Sequence, residues 1–502
     1  MRLIKPKQMR EAERLSHERG MSYAMLADKA GAALADFIDN CEKDGSVLFL
    51  CGNGNNACDG FVAAELLSKR GRSVSVALLC GEPKTDIARA AYEKLLHSHA
   101  KLIALSEAEC ALRETDGAVV DCVFGTGFHG SLPDDIAKLF AVSTKAVRIA
   151  ADIPSGADGL TGRVAGACFR ADYTLAFGAE KTGTQQYPAK EFCGELFIAD
   201  IGLSEDIFAE LSPLPYLLDV ISVPRLPERR RDSHKGSFGR LLCVCGSRDM
   251  TGACVLSARA AMKCGAGLVT VASVAEAVSA VSLLLPEATH ITLDETADGM
   301  LSRGSFTRIF DAARGASAVL IGCGLGVSED TRYIVRELLS SLECPIILDA
   351  DGINCISDSI DIIKASQADI LLTPHPGEMA RLTGKTTALV QENRIECAEE
   401  FARENGCTVL LKGAATILAG NGVLAVNPTG NPGMSRGGSG DVLAGMAAAF
   451  AAQGMGIADA AALAAFLHGY AGDLAAQRLT EYAMLPSDII DCLPEAFKAL
   501  YG

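Results

Sequence analysis

Short apolar segments alternate with helical patterns along most of the chain. In the first half, helices are predicted at about 7–18, 21–39 and 60–70. Buried strands are predicted for the apolar runs 46–51, 73–80, 118–124, 147–153, 172–177 and 195–201. Because apolar strands separated by helices form parallel βαβ units with both sheet faces covered, this half is predicted to be an α/β fold.

The second half repeats this alternation. Strands are predicted for the runs 240–246, 267–273, 317–322, 345–350, 368–373 and 407–413. One long Ala-rich helical stretch is predicted at about 440–478. Between the halves lie the basic run 229–231 and four prolines, Pro213, Pro215, Pro224 and Pro227. The pattern therefore predicts two α/β domains joined by a linker.

The composition fits a folded protein of several domains and disfavours nucleic-acid binding. At 502 residues, the chain is too long for one core and suggests two to four domains. Hydrophobic residues make up 49% and charged residues 22%, which is typical of a globular protein. The 46 basic and 62 acidic residues give a net charge of −16, which repels phosphate backbones. Bound phosphate groups must therefore be held locally, by backbone N–H groups and helix N-termini.

Cysteine spacing and hydropathy predict a cytoplasmic protein. No apolar segment follows the basic N-terminus, and no run of 18 apolar residues occurs. The 18 cysteines form no C-x-x-C pair, which disfavours a zinc ribbon or a redox motif. We expect buried thiols in a reducing compartment, and neither a membrane nor a nucleic-acid partner.

Two glycine-rich loops each follow a predicted strand of the first half. Residues 52–57 fit G-x-G-x-x-A and residues 125–130 fit G-x-G-x-x-G, patterns that let backbone N–H groups approach a phosphate. Either loop alone could be a tight turn without a ligand. Two such loops at the carboxyl ends of parallel strands predict a ligand crevice.

Oxygen-bearing side chains surround the second of these loops. Asp121 lies just before it, and Asp152 ends the next predicted strand. A carboxylate at that position can move a proton or hold a cation, and the alternative is that it caps the following turn. The oxygen donors of Asn56, Asp121 and Ser155 suit a hard cation such as K⁺ or Na⁺ rather than zinc.

The motifs of the first half resemble the NAD(P)H-hydrate epimerase domain over about residues 1–215. They are G-N-G-N-N-x-x-D-G, V-D-C-V-F-G-T-G and D-I-P-S-G. The resemblance implies that Asp152 is the acid/base and that Asn56, Asp121 and Ser155 bind K⁺. The substrate-binding residues that it implies are Asn55, Asn56, Ala57, Cys58, Asp59, Gly125, Thr126, Gly127, Phe128, His129, Gly130, Ser131 and Asp152. Where this chain has Ala57-Cys58, the family usually has Gly-Gly.

The second half contains a denser glycine motif directly before an apolar helix. Residues 430–441 read G-N-P-G-M-S-R-G-G-S-G-D. Stacked glycines let backbone N–H groups converge on an anion, and the helix dipole adds to the field. Asp441, in the first helical turn, can take a proton from a hydroxyl group beside that anion, although it could also be an ordinary helix N-terminal acid.

This G-x-G-D arrangement resembles the ribokinase-like superfamily. The motifs H-K-G-S-F-G, T-G-A, G-C-G-L-G, T-P-H-P-G-E and L-K-G-A-A-T occur in order before it. Together they resemble the ADP-dependent NAD(P)H-hydrate dehydratase over about residues 225–500. The resemblance implies that Ala253, Gly326, His375 and Asp441 contact the hydrated nicotinamide. The ADP-binding residues that it implies are Lys412, Gly413, Ala414, Ala415, Thr416 and Gly440.

The two resemblances together imply a bifunctional enzyme that repairs hydrated nicotinamide cofactors. A Rossmann-like domain (1–215) would interconvert the R and S hydrates, NADHX and NADPHX. After a linker (216–233), a ribokinase-like domain (234–502) would dehydrate the S form with ADP, giving AMP and phosphate. K⁺ is implied for the first domain and Mg²⁺ for the second, where Asp349 and Asp351 are candidate ligands. We also expect a homo-oligomer.

Three other functions remain open from the residues alone. The second domain could be an ATP-dependent kinase of a small alcohol, since fold does not determine function. The G-x-G-x-x-G matches could indicate a nicotinamide dehydrogenase, but Glu82 is the sole loose match for the expected ribose-binding acid. The first domain could be a non-catalytic binding module, because Ala57-Cys58 alters its loop. No Walker-type G-x-x-x-x-G-K-[ST] and no G-x-S-x-G occur.

Overall fold

The computed structural model describes residues 1–502 and divides them into two compact units. The first comprises Arg2–Tyr216, and the second comprises Leu217–Gly502 together with Met1. Both are α/β structures built around a largely parallel sheet, as predicted. No helix has the length and apolar character needed to cross a lipid bilayer.

The N-terminal unit contains a seven-stranded sheet in the order β4-β3-β2-β5-β6-β7-β9, in which every pairing is parallel. Its strands are β2 (Val47–Cys51), β3 (Val74–Leu78), β4 (Lys101–Ile103), β5 (Ala118–Cys122), β6 (Val147–Ala151), β7 (Tyr173–Phe177) and β9 (Glu195–Ala199). A separate parallel pair joins β1 (Leu3–Ile4) to β8 (Glu180–Lys181). All six strands predicted for this half are confirmed. The structure adds β4 at the edge, a strand of three residues that is too short to form a distinct apolar run.

Helices cover both faces of this sheet. They are α1 (Pro6–Glu18), α2 (Tyr23–Cys41), α3 (Asn55–Lys69), α4 (Asp86–Leu96), α5 (Leu105–Glu114), α6 (Asp134–Phe140) and α7 (Glu205–Glu210). One apolar core contains buried residues of α1 to α4, and a second contains those of α5 and α6. Helix α3 begins five residues earlier than predicted, so Asn55 to Asp59 form its first turn rather than a loop.

The C-terminal unit contains a ten-stranded sheet in the order β10-β19-β18-β17-β16-β15-β14-β11-β12-β13. Its strands are β10 (Tyr216–Leu217), β11 (Arg240–Val244), β12 (Leu268–Ser273), β13 (Thr289–Thr292), β14 (Ala318–Ile321), β15 (Ile346–Leu348), β16 (Ile370–Leu372), β17 (Thr408–Leu411), β18 (Thr416–Gly420) and β19 (Val423–Asn427). Strands β11 to β17 pair in parallel, whereas β17, β18 and β19 pair antiparallel. The hairpin of β18 and β19 was not predicted.

Twelve helices complete the C-terminal unit. They are α8 (Thr251–Lys263), α9 (Ala275–Leu284), α10 (Phe306–Ala313), α11 (Glu329–Ser341), α12 (Asp351–Asn354), α13 (Asp361–Ala365), α14 (Pro376–Thr383), α15 (Thr387–Glu392), α16 (Arg394–Asn405), α17 (Ser439–Ala452), α18 (Ile457–Leu479) and α19 (Pro486–Tyr501).

The helical stretch predicted at about 440–478 consists of two helices, α17 and α18. The chain turns between them at Gly454, whose φ of +92° is left-handed. Nearly all of α17 is buried, and a Cβ on its Gly445 would lie 2.1 Å from the Ser257 carbonyl oxygen of α8. The small residues of α17 therefore serve close packing between helices.

Candidate active sites

The N-terminal unit has its ligand crevice where the sheet changes direction. From the central strand β2, the chain first extends the sheet through β3 and β4, and then returns to add β5 on the other side. In open α/β sheets, ligands bind at this switch point, outside the carboxyl ends of the strands. The loops that follow β2 and β5 are the two glycine-rich loops predicted from the sequence.

These two loops meet at Asn56 and Gly125. A Cβ on Gly125 would lie 3.4 Å from the Asn56 side chain. On the other side of α3's first turn, Asn55 is exposed. The N-terminus of α3 thus presents its free backbone N–H groups to the crevice, as an anion site requires.

Ala57 and Cys58 do not obstruct this crevice. Both side chains point into the core, with 0% and 1% exposure. Neither residue has a positive φ, since both lie in regular helix. Both side chains therefore contribute to the packing of α3 against the apolar core.

Side-chain contacts hold the second loop, residues 125–131. Phe124 and Phe128 pack ring against ring at 4.9 Å, and the His129 Nδ1 lies 2.8 Å from an Asp158 carboxylate oxygen. Gly127, His129, Gly130 and Ser131 are exposed, and Thr126 is partly exposed. A Cβ on Gly127 or Gly130 would meet nothing within 4 Å, which leaves open space above the loop.

Asp121 and Ser155 form a buried hydrogen-bonded pair at the ends of β5 and β6. The Ser155 hydroxyl and backbone N–H donate to the two Asp121 oxygens, both at 2.7 Å. Burial raises the pKa of Asp121 to about 6, although the Ser155 hydrogen bonds oppose this. Ser155 also accepts a hydrogen bond from the backbone of Phe124, and so connects this pair to the loop that meets Asn56.

Asp152 lies immediately after β6 and adopts a left-handed backbone with φ +70°. Its carboxylate accepts hydrogen bonds from the Phe177 backbone N–H, at 3.1 Å, and from the Lys181 ammonium. The Lys181 side chain is fully buried and also donates to the Phe177 carbonyl. A non-glycine residue in this conformation is uncommon and tends to occur at functional sites.

Sequence reasoning missed Lys181 and Glu13, which share this environment. Burial and the Asp152 charge raise the pKa of Glu13, on α1. Burial, Asp152 and Glu13 together hold the pKa of Asp59 well above its usual range. The crevice therefore holds three carboxyl groups around one buried ammonium, and Lys181 is the cation that balances Asp152. No motif marks Lys181, which follows Asp152 by 29 residues and is brought back beside it by β7 and β8.

We expect Lys181→Met to destabilise the N-terminal unit strongly. The substitution would leave the Asp152 carboxylate without its cation, next to two other acids. Removal of one partner of a buried ion pair costs about 3–5 kcal/mol of unfolding free energy. Hydrogen exchange of peptides from β6 and β7 measures this loss. Lys145→Met, at an exposed lysine of the same unit, is the matched control and should change little.

The C-terminal unit has the same kind of switch point, between β11 and β14. The chain extends one side through β12 and β13 before it returns to add β14 and β15. Helix α17 begins above this edge, after Gly438 in a left-handed conformation at φ +99°. A Cβ on Gly440 would lie 3.2 Å from the Lys412 Nζ and 3.8 Å from an Asp349 oxygen. The predicted nucleotide-binding residues Gly440 and Lys412 are therefore neighbours.

Asp441 faces a partly buried polar cluster at the start of α17. The Cys323 sulfur and the carboxylate oxygens of Asp349 and Asp441 all lie within 4.8 Å of one another. Burial and the nearby Asp349 charge raise the pKa of Asp441 to about 7. A carboxyl group with a pKa near neutrality can both accept and release a proton under physiological conditions.

Lys412, directly after β17, holds the carboxylate of Asp349, directly after β15. Its ammonium donates to Asp349 Oδ1 at 2.7 Å, and the Thr373 hydroxyl donates to the same oxygen at 2.6 Å. Burial disfavours the charged lysine, but Asp349 and Glu378 outweigh burial and raise the pKa of Lys412. Beyond it, Gly413 and Ala414 are exposed, and Thr416 begins β18.

The other substrate residues predicted for this unit lie along the same edge. A Cβ on Gly324 would lie 2.8 Å from the Ala253 side chain, so the loop after β14 packs on the start of α8. Gly326, at φ +78°, donates its backbone N–H to Asp351 Oδ2 at 2.9 Å. Asp351 therefore helps to hold the loop after β14.

His375 caps helix α14. Its Nδ1 accepts hydrogen bonds from the backbone N–H groups of Gly377, at 3.0 Å, and Glu378, at 3.3 Å. The ring is half exposed, with its Nε2 3.3 Å from a Glu378 oxygen. His375 therefore has a structural role as a helix cap, and its exposed ring face is open to a ligand. His468, which the sequence analysis missed, is buried beneath α17, and burial lowers its pKa to about 4.

Two family profiles match the chain. One, described as NAD(P)H-hydrate dehydratase, matches residues 241–495. The other, described as YjeF-related protein N-terminus, matches residues 23–183. The first match spans the C-terminal unit from β11 to α19, and the second spans α2 to β8.

Similar proteins from three organisms match over most of their own length. A Moorella thermoacetica protein, named Bifunctional NAD(P)H-hydrate repair enzyme Nnr, is 38% identical over 100% of this chain and 97% of its own. Proteins of the same name from Thermofilum pendens and Escherichia coli are 35% and 32% identical, over 97% and 89% of their own lengths.

Two solved structures are similar to more than half of the chain. An ADP/ATP-dependent NAD(P)H-hydrate dehydratase from Bacillus subtilis, co-crystallised with ATP and Mg²⁺, is 30% identical over 58% of this chain and 99% of its own, with a TM-score of 0.49. A ribokinase-like superfamily protein from Enterococcus faecalis is 28% identical over 57% of this chain and 96% of its own, also with a TM-score of 0.49.

Proposed function

The chain belongs to the family of bifunctional NAD(P)H-hydrate repair enzymes, and on that premise we propose how its residues divide the two reactions. The resemblance predicted from the sequence motifs is confirmed. The enzyme repairs hydrated nicotinamide cofactors, with an epimerase in its N-terminal part and a dehydratase in its C-terminal part. We assign the epimerase to residues 1–215 and the dehydratase to residues 234–502. The observation that carries this division is that each unit places an acid near a glycine-rich helix N-terminus. Asp152, after β6, lies near the first turn of α3, and Asp441 lies in the first turn of α17.

In the epimerase, Asp152 is the acid/base for the hydroxyl-bearing C6 of the nicotinamide ring. Lys181 fixes the Asp152 carboxylate toward the crevice and balances its charge. The first turn of α3, with Asn55 to Asp59, and the loop Gly125 to Ser131 form the two walls around the substrate. Their exposed backbone N–H groups suit its phosphate oxygens.

In the dehydratase, Asp441 takes the proton from the C6 hydroxyl of the S hydrate. The hydroxyl oxygen then attacks the β-phosphorus of ADP, and AMP leaves. Loss of the new phosphate ester from C6, with loss of a proton from C5 to solvent, restores the ring double bond of NAD(P)H. Lys412 to Thr416 and Gly440 hold the nucleotide, and Ala253, Gly326 and His375 contact the hydrated ring.

The donor set at Asn56, Asp121 and Ser155 fits K⁺. Asp121 is fully buried and forms no ion pair, and the Asn56 amide nitrogen is buried without a hydrogen-bond partner. The oxygen and nitrogen of an amide group have nearly the same shape. Rotation of the Asn56 side chain can therefore place its oxygen where the nitrogen now lies. Bound K⁺ would offset the Asp121 charge and attract the phosphate oxygens of the substrate.

The carboxylate of Asp349 fits Mg²⁺ held jointly with the phosphates of ADP, which leaves Asp441 free as the base. Mg²⁺ in such sites uses one or two carboxylates and keeps several waters. The Asp349 Oδ1 is engaged by Lys412 and Thr373, which leaves its second oxygen facing the nucleotide side at Gly440. Asp351, whose Oδ2 accepts a hydrogen bond from the Gly326 backbone N–H, is the second candidate ligand. Bound Mg²⁺ would neutralise negative charge on the transferred phosphoryl group.

A nucleotide panel tests the dehydratase. Purified protein is incubated with the S hydrate of NADH and with ADP, ATP or no nucleotide, and NADH, AMP and phosphate are quantified. We expect one AMP and one phosphate for each NADH formed with ADP. A stable phosphorylated alcohol, or ATP consumption without NADH, would instead identify the small-alcohol kinase.

The dehydratase should lose activity as the pH falls through about 7. The base form of Asp441 is required, and its pKa is raised to about 7, so activity is full above that pH and declines below it. The Asp349→Asn variant distinguishes titration of Asp441 from ionisation of ADP as the cause of this pH dependence. Since the Asp349 charge contributes to the raised pKa of Asp441, its removal should move the midpoint of the pH profile to lower pH. An unchanged midpoint would assign the profile to ADP.

The oligomeric state and the cellular location of the chain are further proposals. We infer a homo-oligomer in the cytoplasm. Size-exclusion chromatography with light scattering distinguishes a monomer from an oligomer directly.

A further inference from the structure

The dehydratase site contains a thiol that the proposed reaction does not use. Cys323 lies in the loop after β14, with its side chain fully buried. Its sulfur is 3.7 Å from Asp349 Oδ2, the carboxylate oxygen that Lys412 and Thr373 leave free. A thiol aimed at two carboxylates has no evident part in phosphoryl transfer.

The three side chains have the spacing of a metal site. The Cys323 sulfur and one oxygen each from Asp349 and Asp441 lie within 4.8 Å of one another. Zinc bonds of about 2.3 Å to sulfur and 2.0–2.2 Å to oxygen, at tetrahedral angles, place neighbouring ligand atoms about 3.5 Å apart. Small rotations of the Asp441 side chain would bring the third ligand to that distance. A fourth position would remain open, as in zinc sites that keep a water.

The thiol selects the kind of metal. Mg²⁺ prefers oxygen donors alone, whereas a thiolate with two carboxylates suits Zn²⁺ or Co²⁺. Coordination would displace the thiol proton to solvent and would leave the Lys412 bond to Asp349 Oδ1 intact. It would also engage Asp441, which the proposed dehydratase reaction needs as a free base.

We propose that Cys323, Asp349 and Asp441 form an inhibitory site for a borderline transition metal ion such as Zn²⁺, and that its occupancy stops the dehydratase but not the epimerase. The inhibition rests on the proposed function of Asp441. The binding of the metal does not, so the two can fail separately.

Cobalt spectroscopy tests the binding without any activity. The full-length protein is stripped with EDTA and titrated with Co²⁺ in excess Mg²⁺. We expect one equivalent of Co²⁺ to produce a thiolate-to-cobalt charge-transfer band, which Zn²⁺ then removes. Absence of that band, or its persistence in Cys323→Ser, would overturn the proposal.

The variants locate the ligand thiol among 18 cysteines. Cys323→Ser should lose the band and weaken Zn²⁺ binding by at least about 100-fold, the upper end of what loss of an outer-shell partner costs. Cys245→Ser is the matched control, because the Cys245 thiol is buried in hydrogen-bond contact with Cys323 but lies outside the cluster. It should keep the band. Loss of the band in Cys245→Ser with retention in Cys323→Ser would place the site elsewhere.

Asp441→Asn supplies a second test that does not depend on a cysteine. It should keep the charge-transfer band but weaken Zn²⁺ binding by at least about 10-fold. Circular dichroism shows whether each variant is folded. In the assay, Zn²⁺ should inhibit NADH recovery by the wild type reversibly, with EDTA restoring it, and Cys323→Ser should resist. Equal inhibition of both would refute a role for the thiol.

Discussion

Asp441→Asn should lower ADP-dependent NADH recovery by about 10²- to 10⁴-fold, the range expected when a general base is removed. The amide has nearly the shape of the carboxyl group but cannot accept the proton of the C6 hydroxyl. Because Asp441 is partly buried beside Asp349, the neutral amide also removes a repulsion, so stability should not fall. The measurement is the NADH absorbance with the S hydrate and ADP.

Two controls accompany this variant. Its epimerase activity, measured by separating the R and S hydrates, should equal that of the wild type, because Asp441 lies in the other unit. Asp459→Asn changes an exposed acid in the first turn of α18, the counterpart of Asp441 in α17. It should leave NADH recovery unchanged. Wild-type activity in Asp441→Asn would remove the base from our mechanism.

Asp152→Asn should abolish enzymatic epimerisation and leave the dehydratase intact. We again expect a loss of about 10²- to 10⁴-fold. Asparagine tolerates the left-handed backbone that Asp152 adopts at φ +70°. Asp59 and Glu13 remain beside the Lys181 ammonium, so the local fold should survive. With a mixture of the two hydrates and ADP, the S fraction should disappear rapidly, and the R fraction should remain at its uncatalysed rate.

The matched control for this variant is Asp206→Asn, at an exposed acid in the first turn of α7. It should consume both hydrates as the wild type does. If Asp152→Asn also consumed both at the wild-type rate, another residue of the crevice would be the acid/base, and Asp59 or Glu13 would be tested next.

The acids at the strand ends were predictable, whereas their partners were not. Asp121 lies at the carboxyl end of β5 and Asp152 directly follows β6. Because parallel strands end at one edge of a sheet, the placement of both acids at that edge follows from the pattern alone. Asp441 follows from a glycine-rich run before a helix. In each case, the residue lies at the end of a predicted strand or at the start of a predicted helix.

Lys181 and Glu13 reach the crevice only through tertiary structure. Lys181 belongs to a two-residue strand paired with β1, and Glu13 lies on a helix with no motif. Their burial distinguishes them from other charged residues, and burial is not visible in the sequence of a short polar segment. The sequence does not reveal the burial of His468 either, because this residue lies within a helix whose other residues are mostly small and apolar.

The elements that were missed have weak patterns. The edge strand β13 reads T-H-I-T and is mostly exposed, so it lacks an apolar run. The break between α17 and α18 lies in a short Gly- and Gln-containing turn within an Ala-rich stretch, where propensity favours continuous helix. Tertiary packing of both helices decides the boundary.

The most direct test of the two-reaction account is complete repair of a mixed substrate by the wild-type chain. An R and S mixture of hydrated NADH is incubated with ADP, and the NADH absorbance is followed to its end point. We predict conversion of both fractions in the presence of ADP and of neither in its absence. Conversion that stops at the S fraction would contradict the epimerase assignment, and no ADP-dependent NADH would contradict the repair function altogether.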